Sequence, residues 1–181
     1  MPIQVTYRRT SRLSMRIVKN GDVHVSVPFG VSRRDVEAFI AQHRDWIESA
    51  RKKTEQRLQQ RARFYAQLPL ATKAERSAAL LRLKALVEPM VARYAQLMDV
   101  SPSVIVYKPL KSRWGQCHVL TRTITFSTYL LLLPNWCVEH VVVHELCHLL
   151  EPSHNARFHA LMDRFYPNWR SARQTTRRIS K

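Results

Sequence analysis

The sequence predicts an α+β protein. Three observations carry this: an alternating apolar pattern around a turn near the N-terminus, long stretches of helical period through the middle, and short strand-like runs followed by a helix pair. The expected organisation is an N-terminal segment, 1–70, holding a β-hairpin or small sheet and a long basic helix, and a C-terminal core, 71–181. The two can also pack as one continuous domain.

Each element has its own signal. Met15 and Ile17 alternate, as do Val23, Val25 and Val27, with Asn20-Gly21 between them as a hairpin turn; Thr6 and Tyr7 fit a preceding strand. From Ser32, a fitting N-cap, the helical spacing runs through Val36, Phe39, Ile40, His43, Trp46, Ile47 and Ala50, and the helix is expected to run on through Arg51-Lys52-Lys53 until Pro69 interrupts it. Thr72-Lys73-Ala74-Glu75 reads as a capping box opening the next helix, in which Pro89 should produce a kink or a split. Val104 and Val106, with Leu110 as a further candidate, suggest one strand, and after Arg113-Trp114-Gly115 the run Thr123 to Phe126 reads as another. Asn135 can cap a helix from Trp136 to Leu150, stopped by Pro152; another fits Ala156 to Tyr166, followed by a basic tail.

Composition narrows the classes. A chain of 181 residues that is 45% hydrophobic and 24% charged is neither disordered throughout nor collagen-like. The apolar run Tyr129–Pro134 is far below the roughly 18 residues of a spanning helix. No secretory leader pattern is visible at Met1–Val5, and the three cysteines lack CxxC spacing, so a reducing cytoplasm is expected and a membrane is not. The net charge of +17 attracts anions, with nucleic acid or another polyanion as a conceivable partner of the basic surface. Its bland counterpart is a solvated helical face, and no base-reading motif is present.

The chemistry concentrates in His144-Glu145-Leu146-Cys147-His148, an HExxH motif inside an expected helix. Four residues advance a helix by a little over one turn, so His144 and His148 share a face and can converge on one Zn²⁺. Glu145 lies about 100° round the axis, where it can take a proton from a water at the metal. The surround is apolar (Val141, Val142, Val143, Leu146, Leu149), a costly setting for a polar trio without a metal.

A catalytic zinc needs a third protein ligand and one open position. His154 fits, six residues beyond His148 and past Pro152, which turns the chain. His140 is excluded as a joint ligand, because His140 and His148 are eight residues apart, about 12 Å along a helix. No glutamate follows Glu151, and the only later acid is Asp163; His159 is a second choice. Cys147 reads as a buried small hydrophobe and His140 as a packed histidine, whereas Glu151 is either an outer partner for a ligand histidine or a helix-end carboxylate.

Three stretches together, Ser112-Arg113-Trp114-Gly115-Gln116-Cys117, Val141 to Leu149, and His154-Asn155-Ala156-Arg157-Phe158, resemble the YgjP-like family of metallopeptidase-type proteins, related to the WLM and SprT-type zincins. The resemblance covers most of the chain. It implies a zincin-like core with an HExxH helix, His144, His148 and His154 as zinc ligands, and Glu145 as catalytic base. Here Gln116 replaces the serine usual after Arg-Trp-Gly, and Glu151 stands where metzincins place glycine. Arg113 and Trp114 are the expected substrate-binding residues, against an alternative in which Trp114 anchors a turn and Gly115 adopts a backbone conformation that others avoid.

The expected function is a zinc-dependent metallohydrolase, foremost a metallopeptidase acting through Glu-activated water on a peptide or protein; another divalent metal could replace zinc. The first alternative, prompted by relatives linked to nucleoside triphosphates, is a UTP-type pyrophosphohydrolase binding its nucleotide through Lys108, Lys111 and Arg113. The second is a basic nucleic-acid-associated protein with a structural zinc, which would require a fourth ligand such as His159 or Cys117.

Overall fold

The computed structural model describes residues 2–18 and 20–179; Met1, Lys19, Ser180 and Lys181, two of them counted in the basic total, lie outside these. The fold is α+β, in two compact units, Met1–Ala62 and Arg63–Lys181.

In the first unit, strands β1 (Ile3–Arg8), β2 (Ser14–Ile17) and β3 (Val23–Pro28) form a sheet in the order β1-β3-β2. The central strand is parallel to β1 and antiparallel to β2. Val23, Val25 and Val27 point to one face and are fully buried, the two-residue period doing what the alternation predicted. The turn is wider than Asn20-Gly21 alone: Val18 N–H donates to the Asp22 carbonyl and Gly21 N–H to that of Val18, with Gly21 at φ 88°. A residue in the left-handed region just before the strand is the usual closure of a three-residue hairpin loop.

Helix α1 (Arg33–Gln42), capped by Ser32, is separate from α2 (Arg44–Ala66), whereas a single helix was expected. The break is at His43, whose ring bonds the Phe39 carbonyl at 2.8 Å while its backbone takes φ −102°, ψ 16°. Val36 of α1 and Ile47 of α2 pack with the three strand valines.

The second unit holds α3 (Lys73–Met98), opened by the predicted Thr72–Glu75 capping box. It runs unbroken through Pro89, so the expected split is absent. Pro89 leaves the Ala85 carbonyl without its helical donor, but both residues are on the exposed side, where water can replace it. Strands β4 (Val104–Lys108), β5 (Gly115–His118) and β6 (Thr123–Ser127) form a sheet in the order β4-β6-β5, with β6 parallel to β4 and antiparallel to β5. Strand β5, which starts directly after Arg113-Trp114, is an element the sequence pattern did not predict.

A 3₁₀ turn, Thr128–Leu132, leads to α4 (Asn135–Cys147). Pro134, not Asn135, is its N-cap, and no side chain caps it. Valines 138, 141, 142 and 143, Leu146 and Cys147 bury most of its circumference, with α3, α5, α6 and β5 packed around it, each large side chain contributing about 1.5–3 kcal/mol. Tyr94 of α3 donates to Glu139 of α4 at 2.8 Å. Helix α5 (Ala156–Phe165) starts at Asn155, whose side chain accepts the Phe158 N–H at 3.1 Å. The expected basic tail is a helix, α6 (Trp169–Ile179). Trp169, Ala172 and Thr176 are its buried stripe, a three-and-four spacing that the many arginines obscure in the sequence.

Candidate metal centre

Helix α4 delivers His144 and Glu145 in its last turn, and His148 follows as the C-cap residue with φ −66°, ψ −19°. Because that backbone is still right-handed helical, the i,i+4 alignment of the two imidazoles survives although the helix ends three residues earlier than expected. His154 comes from the turn before α5. One ring nitrogen from each of His144, His148 and His154 lies within 4.8 Å of the other two, and the Nε2 atoms of His144 and His154 are 3.0 Å apart. Among the described residues these three form the one group of His, Cys, Asp or Glu with such convergence.

The donors are chemically ready for a cation. Burial lowers the pKa of His144 to about 3, that of His148, and that of His154, and the nearby His148 imidazole and Arg173 charge further disfavour a proton on His144. Neutral imidazole is the metal-binding form. His148 Nδ1–H donates to the backbone carbonyl of Glu151 at 3.2 Å, which leaves its Nε2 lone pair for the metal. Glu151 thus contacts His148 through its main chain and not through its carboxylate. Its side chain accepts the Ser153 N–H at 3.2 Å, and its own N–H donates to the Cys147 carbonyl at 2.9 Å. Among the described residues only Asp99 and Arg122 combine a side chain with positive φ, so this turn needs no glycine where metzincins use one.

Phe158, 1% exposed on α5, was not singled out in the sequence. Its ring centroid is 4.9 Å from that of His144 and 4.7 Å from those of His148 and His154. One apolar ring thus packs against all three imidazoles. The signal was present in His154-Asn155-x-x-Phe158: the residue whose N–H Asn155 caps must face back toward the preceding turn.

Glu145 is 5% exposed beneath strand β5. Burial pushes its pKa up to about 8, opposed by the Cys117 backbone N–H that it accepts and by the charge of Arg113. Gly115 passes so close that an added Cβ would be 2.5 Å from Glu145 Oε1. Its φ is not among the positive values, so glycine is required here for space, not for an unusual backbone conformation.

A cavity of about 570 Å³ opens over the site, lined in part by Arg113, Trp114, His144, Glu145, His154 and Arg173. Arg113 Nη1 donates to Gln116 Oε1 at 2.8 Å, so the glutamine orients the guanidinium. Trp114 lines the cavity and also meets Phe64 edge-on, 6.2 Å between centroids. Lys108 and Lys111 do not line it; the Lys111 ammonium lies 5.5 Å from the Tyr65 ring. His159 stacks on Trp169 at 5.3 Å and 2° and stands outside the histidine trio. His140 also lines the cavity, its pKa lowered to about 4 by burial and then by Arg173, and its Nδ1 is buried without a partner. Burial pushes the Cys147 thiol up to about 12, as suits a packed hydrophobe. Asp163, the late acid, instead holds α6 by accepting from Trp169 Nε1 at 2.7 Å and from Arg170.

A sequence profile of the YgjP-like metallopeptidase domain matches residues 11–75 and 67–179, and the chain belongs to that family. It is a hydrolase of the metallopeptidase type and requires a metal. Among curated proteins no relative matches. Similar solved structures include the metallopeptidase zymogen abylysin of Pyrococcus abyssi, at 24% identity and TM-score 0.45, covering 51% of this chain and 90% of that one. The metallopeptidase zymogen jannalysin of Methanocaldococcus jannaschii is similar at 16% identity and TM-score 0.45, covering 51% of this chain and 94% of that one.

Proposed function

We propose, with that family membership as premise, that this chain is a zinc-dependent peptidase in which His144, His148 and His154 hold the cation and Glu145 is the general base. The convergence of three neutral imidazole nitrogens within 4.8 Å, beside a buried carboxyl, carries the reading. With three ligands and no fourth among the described residues, the set fits a catalytic site better than a closed structural one.

When bound, Zn²⁺ supplies a Lewis acid that makes water a nucleophile near neutral pH and polarises the scissile carbonyl. The rest falls to the protein. Glu145 accepts a proton from the attacking water and delivers it to the leaving amine. The Cys117 N–H and the Gly115 backbone hold that carboxyl in one place, and low surrounding polarity keeps its proton affinity high enough to work in both directions. Arg113, steadied by Gln116, is positioned to bind a substrate oxygen and Trp114 to shape the wall beside it. The cytoplasm suits three free cysteines.

The test is Glu145→Gln, which should keep one equivalent of zinc and lose at least about 10²-fold in turnover of casein or a peptide pool. An unchanged rate eliminates the mechanism. Arginines in the cavity lining also support the nucleotide alternative, so pyrophosphate release from UTP should be assayed alongside; release without peptide cleavage would favour it.

A further inference from the structure

The side of the cavity built by α4 and α6 carries two groups that the hydrolytic mechanism leaves unused. His140 lies one turn before His144 on α4, with ring centroids 5.9 Å apart. It is 6% exposed and lines the cavity, and its buried Nδ1 has no hydrogen-bond partner. Because Nδ1 is shut away from solvent, Nε2 is the nitrogen that the ring offers to the cavity. A buried N–H without an acceptor is rarer than a bare acceptor, so the ring proton belongs on Nε2. Arg173 is the second group. Helix α6 packs along α4, where Cys137 Sγ approaches the Ala172 carbonyl at 3.8 Å. The next residue, Arg173, lines the same cavity, and its charge disfavours a proton on His140, His144 and His154 alike. Three arginines line the cavity: Arg113 donates to Gln116, and Arg177 has an interaction of its own. Arg173 makes no hydrogen bond or ion pair among the described residues.

We infer that His140 and Arg173 together bind one carboxylate of the substrate, belonging to the residue next to the cleaved bond. This rests on the peptidase reading above. A guanidinium presents paired N–H groups to the two oxygens of a carboxylate, and an imidazole N–H beside it can donate to a remaining lone pair. The reach agrees. His140 and the ligand His144 are separated by about 6 Å along the helix axis, and successive residues of a peptide by about 3.8 Å. That span reaches the residue adjoining the bond, through its side chain where it is Asp or Glu, or through its α-carboxylate where the chain stops there. One free guanidinium and one neutral donor match a single negative charge. A triphosphate brings several charges, most of which this wall would leave unpaired.

The experiment measures binding and cleavage separately. Fluorescence anisotropy on zinc-loaded Glu145→Gln protein compares two kinds of labelled peptide pair. The first has Glu or Gln beside the cleavable bond of an amidated chain, on each side of the bond in turn. The second ends one residue after that bond, in a free acid or an amide. In at least one pair the carboxylate form should bind about tenfold tighter, as hydrogen bonds to a charged group supply, and the pair that responds identifies the source. Arg173→Gln should bring that pair to within about twofold, and Arg173→Glu should reverse its order. His140→Phe, which keeps a ring and removes the donor, should weaken the carboxylate form alone by about threefold. Arg173 is exposed, so its variants should fold, which a melting curve verifies. No difference within any pair overturns the subsite. So does a preference that survives both Arg173 variants, as a carboxylate seated on the zinc would show, or one that His140→Phe leaves unaltered. UTP that binds tighter than the acidic peptides, and weakens in the same variants, assigns the two residues to phosphate and overturns it too. With active protein, carboxylate preference in binding without cleavage supports the subsite and removes the peptidase reading. Cleavage indifferent to the carboxylate does the opposite.

Discussion

A Cβ on Gly115 would stand 2.5 Å from Oε1 and 2.6 Å from Cγ of Glu145. The strand backbone therefore lies directly against the carboxyl, with no room for a side chain at this position. Gly115→Ala must push Glu145 aside, since β5 is held by its ladder with β6. We expect turnover to fall at least about 10²-fold, as misplacement of a catalytic group by about 1 Å can do. The zinc content should be unchanged, because the histidines are not displaced. Full activity in the alanine variant would show that Glu145 has room to move.

Phe158 supports all three imidazoles at once. Removing its ring in Phe158→Ala should cost about 3–5 kcal/mol of stability and weaken zinc binding together, whereas Phe158→Leu should retain most of both. Denaturant unfolding and zinc titration of both variants check this. Zinc affinity untouched by the alanine change would mean that the ligands hold themselves in place.

His154 is exposed, and its Nε2 lies 3.0 Å from that of His144. His154→Ala should leave the melting temperature of metal-free protein nearly unchanged. It should abolish most of the rise that zinc produces in the wild type, a rise equivalent to about 2.7 kcal/mol when zinc is at 100 times its Kd. A zinc-induced shift that survives the substitution would remove His154 from the ligand set.

The metal-free protein should be most stable near pH 6.5. Burial holds His140 at about 4 and His144 at about 3, below their unfolded value of 6.5, so the unfolded chain binds more protons and stability falls as pH drops from 6.5 towards 4. Glu145 has the opposite sign: its folded pKa is raised from 4.5 to about 8, so its contribution is intact below 4.5 and is lost as pH rises towards 8. Two histidines outweigh one glutamate below 6.5, and above it the glutamate acts alone. Urea midpoints in chelator between pH 4.5 and 8 test this, and Glu145→Gln should abolish the alkaline decline.

Arg113→Ala should lower kcat/KM about 10–100-fold with zinc binding intact, if its guanidinium meets a substrate oxygen. Gln116→Ala should reproduce a smaller part of that loss by freeing the arginine. Steady-state kinetics on one peptide substrate for both variants decides it.

What could be read from the chain alone was whatever depends on neighbours in sequence. The 3.6-residue period puts His144 and His148 on one face, Thr72 and Glu75 cap each other across three residues, and alternation buries Val23, Val25 and Val27. Pro152 within the six-residue gap signals a turn, and the chain there returns His154 to the side of His144. The local rules failed where local signals were mixed, as in α6, whose arginines hide its Trp169-Ala172-Thr176 stripe.

Tertiary packing alone decided the rest. Gly115 meets Glu145, Phe158 meets His144, and Arg173 reaches the cavity over the same histidine, although each pair is separated by 14 to 30 residues. Such pairs are set by how α4, β5, α5 and α6 bury their apolar faces together, and no period along the chain encodes which backbone will pass over which side chain.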